Sequence, residues 1–196
     1  MNRHQRYWYL DELLSQSLAA GVCYSSVLRH LGLPQARDTV LVWSDIAAFL
    51  SHAGVMSKVL FPAPADRQDR ATELRAVLGI DRLPNLEDRA GRDNIEHMDE
   101  RIDNWAARDT ESLVSMVFED RAGYNYICTP DKAVRRALIE DERIYVSENR
   151  QAERVETQLA ELHEVIQEIG NRAFAAMQAD PPYHFLLAQA LANRAR

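Results

Sequence analysis

Glycine and proline are scarce in this chain, seven of each among 196 residues. Turn-rich β architectures need more of both, so helices are favoured. So few glycines also leave little material for a backbone phosphate cradle. No G-x-G-x-x-G, phosphate-binding loop, G-x-S-x-G or H-E-x-x-H run is present. Those gaps set aside most nucleotide-dependent enzymes, α/β-hydrolases and zinc proteases, and no cofactor is expected. There are two cysteines, Cys23 and Cys128, far apart and at no metal or redox spacing, so reduced thiols are expected. Lysine is nearly missing: of 23 basic residues only Lys58 and Lys132 are lysine. Arginine binds phosphate and carboxylate through a planar fork, but a GC-rich coding sequence and surface ion pairs explain the bias more simply. No apolar run approaches the roughly 18 residues of a membrane span, and no apolar stretch follows the charged residues 1–8 as it would in a signal peptide. A cytoplasmic protein with no membrane partner is expected. The net charge of −7 argues against a surface that binds nucleic acid everywhere and leaves room for a local basic groove.

Most of what is present reads as helix. Residues 7–20 put Leu10, Leu13, Leu14 and Leu18 on one face, with a stop expected at Gly21 and a second short helix over 22–31. Residues 39–60 carry Trp43, Ile46, Phe49, Leu50, Ala53 and Leu60 at helical spacing, ended by Pro62 and Pro64. Residues 66–78 form a charged helix stopped by Gly79, residues 81–90 a loop holding Pro84, and another helix runs from about Gly91 through Trp105. Residues 112–118 and 124–128, rich in β-branched and aromatic side chains, read as a hairpin around 119–123. Residues 143–147 offer a third short strand, and 134–142 fit either state. Val155, Leu159, Leu162, Ile166, Ile169, Ala173 and Met177 then form a stripe suited to a bundle or a dimer seam, and residues 183–196 a last short helix. The expectation is a single all-α, up-and-down bundle over 1–196 with a small β insertion around 112–147, because some 35 residues are too few for a core of their own.

One segment is chemically pointed. Arg92 and His97 stand five positions apart at the start of a helix, with Asp93 between them. Histidine exchanges protons near neutral pH; arginine clamps a phosphate and offsets developing charge; a helix start adds amide donors for an anion. Transesterification of an RNA phosphodiester needs those parts and no metal. As spacing alone, the pair is what an arginine-rich chain shows by chance, and Asp93, Glu96, Glu100 and Arg101 would equally form an ion-pair lattice on a solvated face. A metal site from Glu96, His97 and Glu100 with His163 and Glu164 fits less well, since adjacent residues on a helix point about 100° apart. Elsewhere the plain readings hold: His52 at the core boundary, His163 partly exposed, Trp8, Trp43 and Trp105 as core anchors, and Arg135-Arg136 at a helix end or in ion pairs.

The wider run Gly91-Arg92-Asp93-Asn94-Ile95-Glu96-His97-Met98-Asp99-Glu100-Arg101-Ile102-Asp103-Asn104-Trp105 resembles the R-N-x-x-E-H-x-D-E-R-x-D-x-W run of bacterial HEPN-class proteins. Residues 49–62, Phe49 to Pro62, are similar to the "hAxxISKLLWP" helix that precedes that motif in the same proteins. Together the two runs cover about a third of the chain. The resemblance implies a helical bundle acting as a homodimer, whose two R-x4–6-H signatures form one composite endoribonuclease site. By position, His97 is then the general base toward the ribose 2′-OH, Arg92 holds the scissile phosphate and Asp93 orients them. The implied partners are RNA, a second copy through the motif helix or the 155–177 helix, and an antitoxin or regulatory protein, in a toxin or phage-defence setting. Three departures point to the alternative, a non-catalytic binding or interaction member: Asp93 stands where asparagine or histidine is commoner, Asp99 where some toxins carry tyrosine, and the expected β insertion lies outside the minimal fold.

Overall fold

In a computed structural model the chain is described over residues 1–35, 40–87, 98–107, 113–130, 132–149 and 151–181. Helix α1, Arg3–Leu31, starts at a reciprocal cap in which the Asn2 side chain accepts from the Gln5 N–H and the Gln5 side chain accepts from the Asn2 N–H. Its buried stripe, Leu10, Leu13, Ser17, Ala20, Tyr24, Val27 and Leu31, alternates steps of three and four. Helix α2, Val40–Leu60, buries Trp43, Ile46, Phe49, Leu50 and Ala53, and stops before Pro62 as its spacing predicts. Among the described residues it is the one helix long and apolar enough to cross a membrane, yet half of it is packed inside the chain. A 3-10 turn, Ala65–Arg67, leads into α3, Gln68–Leu78, which Gly79 ends with φ +63°, a left-handed conformation glycine adopts without strain. The loop expected around Pro84 contains a single helical turn, α4, Pro84–Glu87. Helix α5 covers Met98–Ala107.

Gly21 does not end α1. Its missing side chain serves packing: a Cβ there would stand 3.0 Å from Nε2 of Gln167, which donates to the Ser17 carbonyl at 2.9 Å. Gln167 lies on α7, Leu159–Ala179, which packs along α1 with Leu159, Leu162, Ile166, Ile169, Ala173 and Met177 buried. That stripe is therefore used inside the chain and is not offered to a second copy.

The expected all-α bundle with a hairpin is overturned by a four-stranded mixed sheet. Strand β1, Leu113–Phe118, is followed by helix α6, Arg121–Ile127, and then by β2, Ala133–Ile139, β3, Ile144–Glu148, and β4, Arg154–Gln158. The spatial order is β1-β2-β3-β4, with β1 and β2 parallel and the other pairs antiparallel. Two physical causes account for the difference. Residues 124–128 are not a strand because Asp120 accepts from the Gly123 N–H at 2.7 Å and starts a helix there, while Arg154 donates to the carbonyls of Cys128 and Thr129 at the other end. Such an N-cap contributes about 1 kcal/mol. Tyr124 lies between two guanidiniums, Arg121 at 5.8 Å and Arg154 at 5.9 Å, and Arg121 also forks onto Glu142 and Glu156. The second cause is that β2, which fits either state by its sequence, is buried on both faces. Val134, Ala137 and Ile139 pack with Phe118, Tyr124 and Val146 on the α6 side, whereas Leu138 joins Tyr145 in the core of the helices. The stripe that begins at Val155 in the sequence starts as β4, and the helix begins only at Leu159.

A tight helix contact is made at Gly170, where an added Cβ would fall well inside 3.0 Å of Oγ and Cβ of Ser17. Replacing Gly170 by alanine is expected to cost about 1–3 kcal/mol through overpacking. In a thermal-denaturation cycle, Ser17→Gly combined with Gly170→Ala should cost less than the two singles summed, and strict additivity would refute the contact.

Candidate functional site

Arg92, Asp93 and His97 lie outside the described residues, as does Glu96, so their mutual geometry is not part of the structure. The helix immediately C-terminal to them is. On α5, Arg101 and Trp105 are a turn apart and buried, with 5 % and 6 % of their surfaces exposed. Trp105 Nε1 donates to Oε2 of Glu148 at 3.3 Å, and Glu148 Oε1 accepts from the Val134 backbone N–H at 2.6 Å. Pairing of β2 with β3 ends at Ala137 and Val146, so this carboxylate takes up a backbone donor beyond the last pair. The opposite side of α5 carries Asp99, Ile102, Asp103 and Asn104, all exposed. The helix that continues the motif is thus pinned to the sheet by its inner face and acidic on its outer one.

The other singled-out residues fall as follows. Trp43 and Trp105 are core anchors, but Trp8 is 65 % exposed. Arg135 and Arg136 lie on β2 and not at a helix end; the Arg136 guanidinium sits 4.6 Å over the Trp43 ring and its Nε donates to Ser115 Oγ at 2.8 Å. His52 Nδ1 meets Gln16 Oε1 at 2.6 Å across α1 and α2, at the core boundary. His163 stacks on Tyr24 with centroids 4.4 Å apart, and burial lowers its pKa below the usual histidine value while neighbouring Glu164 partly offsets that. Among the described residues no three His, Cys, Asp or Glu side chains gather as a metal site. Cys128 is buried and Cys23 half-buried, and burial pushes both thiols up, away from the reactive thiolate.

Periodicity gives no hint of a cavity of about 500 Å³ between the residues after α3 and α7. Ile80, Leu83, Val165 and Ile169 make its apolar floor, with Arg82 and Glu164 also lining it. Arg172 closes one side by donating to the carbonyls of Leu78 and Gly79.

No family description, curated protein or solved structure matches the chain. The site therefore stands on its own residues.

Two outcomes are expected from these contacts. Trp105→Phe strips one donor from a buried carboxylate and should cost about 1–3 kcal/mol in urea unfolding. Glu148→Ala should cost more, because it also leaves the Val134 N–H without its acceptor; effects within about 0.5 kcal/mol for both would mean α5 is held some other way. For His163, the folded imidazole releases its proton more readily than the unfolded one, whose pKa is near 6.5. The unfolded chain therefore binds more protons just below that pH, so stability is lost as pH falls through 6.5 toward the lowered folded value and is flat above it. His163→Phe, which keeps the stack, should show a shallower loss than the parent as pH falls below 6.5.

Proposed function

We propose that this protein is a metal-independent endoribonuclease of the HEPN type, serving a cytoplasmic toxin or phage-defence system, with a site composed from two copies. The reading is supported by the residue run from Gly91 to Trp105, and the observation that carries it is the anchoring of α5. A catalytic histidine must be held within a fraction of an ångström, and the helix directly after His97 is fastened through Arg101, Trp105 and the Glu148 carboxylate. In this mechanism His97 takes the 2′-hydroxyl proton, the 2′ oxygen bonds to phosphorus, and the P–O5′ bond breaks. The products are a 2′,3′-cyclic phosphate and a 5′-hydroxyl, the leaving oxygen being protonated by the imidazolium of the second copy. Arg92 neutralises the phosphorane as charge builds, and Asp93 orients the pair. No cofactor enters the chemistry.

A second reading has its own observation. The exposed side of α5 carries Asp99 and Asp103, and that of α7 carries Glu161, Glu164 and Glu168. Exposed carboxylates on each of these faces repel phosphate and favour a non-catalytic interaction protein whose partner is a regulatory protein with a basic face.

Assaying RNA cleavage in excess EDTA, with wild type, His97→Ala and Arg92→Ala, separates the two. Catalysis predicts cyclic-phosphate ends and a fall of about 10²–10⁴-fold for His97→Ala. Equal cleavage by wild type and His97→Ala, or none by either, leaves the interaction reading standing.

A further inference from the structure

Strand β2 holds two successive arginines in different circumstances. Arg136 lies over the Trp43 ring and donates to Ser115 Oγ. Arg135 is half-buried, and among the described residues its side chain makes no hydrogen bond, ion pair or ring contact. Its Nε is sealed from solvent without a partner, whereas neither terminal nitrogen is sealed in that way. The stem of the fork is therefore inside the protein and its tip is not. A shortage of acids is not the reason. The chain carries 30 acidic residues, and Arg82, Arg121 and Arg172 are each paired with a glutamate. A guanidinium taken partly out of water without a counter-ion is costly.

The backbone places it there. In the register of β1 with β2, Val114 meets Val134 and Ser115 meets Arg136, so Arg135 is the extra residue of a bulge, with no partner on β1. Regular alternation would send Arg135 and Arg136 to opposite faces, and a bulge re-aims a side chain. Burial raises the pKa of the Tyr145 hydroxyl, and the charges of Arg136 and Arg135 both act against that rise. Two successive guanidiniums thus act on one hydroxyl. They do so beside the Val134 N–H, which donates to Glu148, the carboxylate that also accepts from Trp105 of α5. Helix α5 starts at Met98, next to His97 in the chain, and Met98 stands about 10 Å along the helix from Trp105 at 1.5 Å per residue.

We propose that Arg135 binds a phosphate of the RNA strand, one that flanks the phosphate being cut. The choice of ligand rests on the nuclease reading, whereas the orphaned fork is a feature of β2 alone. A phosphate accepts both terminal N–H groups side by side. Arg136 adds a second positive charge next to it, which suits a strand with a charge at every nucleotide better than a lone carboxylate. Arg135 moves no proton and holds the strand.

Anisotropy of a short fluorescein-labelled single-stranded RNA, titrated with protein in a His97→Ala background so that the strand stays intact, tests the contact. Arg135→Met should weaken binding about tenfold. It should also lower the slope of log K against log salt by about 0.7, the share of one phosphate on a single strand. Arg135→Lys, which keeps the charge, should keep the slope. The melting temperature of Arg135→Met should equal or exceed the parent's, because an uncompensated charge is removed and methionine fills the space of the stem. No RNA binding by the parent, or an unchanged affinity and slope in Arg135→Met, overturns the proposal. So does an equal loss in Arg29→Met, an exposed arginine on α1, which would make the effect one of net charge. A melting temperature lowered by more than about 4 °C would give the guanidinium a structural role and overturn it too. Cleavage is assayed separately: equal rates for parent and His97→Ala sink the nuclease reading, and the phosphate contact is still decided by the slope.

Discussion

A carboxylate sealed inside protein is costly unless both oxygens are satisfied, by several kcal/mol in an apolar setting. Glu148, 3 % exposed, meets the condition by joining two separate parts of the chain. One oxygen receives the indole N–H of Trp105 on α5, and the other the backbone N–H of Val134 on β2. The second bond falls where the sheet is irregular: the register between β1 and β2 slips between Val114 and Ser115, and β2 stops pairing with β3 before this level. Without the carboxylate, β2 would carry an orphaned donor and α5 would lose its polar anchor. The Glu148 side chain thus ties the motif helix to the sheet, and half-made networks of this kind are worse than none.

The helices were legible because their signals are local. Pro62, the left-handed Gly79 and the stripe of α2 act within one or two turns, and both α2 and α3 end where expected. Gly21 misled because a glycine has two uses that a sequence does not separate. It can free the backbone to leave a helix, or remove a Cβ so that a neighbour comes close. Gln167, far away in the chain, decides which. The fold class failed for the same reason on a larger scale. Tyr124 to Cys128 have the composition of a strand, and they are held out of the sheet by Asp120 before them and by Arg154 behind. Arg135-Arg136 interrupted the apolar run that would have marked β2 as central, although one of them is accommodated by stacking on Trp43.

That stacking shows how the sheet and the helices share a core. Val134, Ala137 and Ile139 face α6, while Arg136 and Leu138 face the helices, an alternation preserved across the slip in register. The length of residues 112–147 suggested something too small to stand alone, and the sheet does not: its Leu138 and Tyr145 belong to the same cluster as Leu50 and Ile166. Burial pushes the Tyr145 hydroxyl up to about 12, so it remains neutral inside that cluster at any pH the protein meets. Of the candidate site, the sequence revealed the run and the buried role of Trp105. It carried no sign of Glu148, because a lone glutamate at a strand end looks the same whether it faces water or an indole.

The acidic surroundings of the motif bear on binding more than on chemistry. Arg92 and Arg101 are set against Asp93, Glu96, Asp99 and Glu100 in this run, and Arg101 is buried. In water, an exposed carboxylate about 4 Å from a phosphate repels it by about 1 kcal/mol, and salt screens what lies beyond about 8 Å. Several such charges weaken the approach of RNA to ground state and transition state alike, and so raise KM. An imidazole that removes the 2′-hydroxyl proton acts only as the bond to phosphorus forms, and so sets kcat. Acidity around the site is therefore compatible with a slow or partner-gated nuclease and incompatible with one that binds RNA indiscriminately. A protein with a basic face would find the same acids attractive, and by covering them it would change the field at Arg92 without touching the reacting atoms. The two functional readings differ less in what the surface binds than in whether the imidazole of His97 has a proton to move.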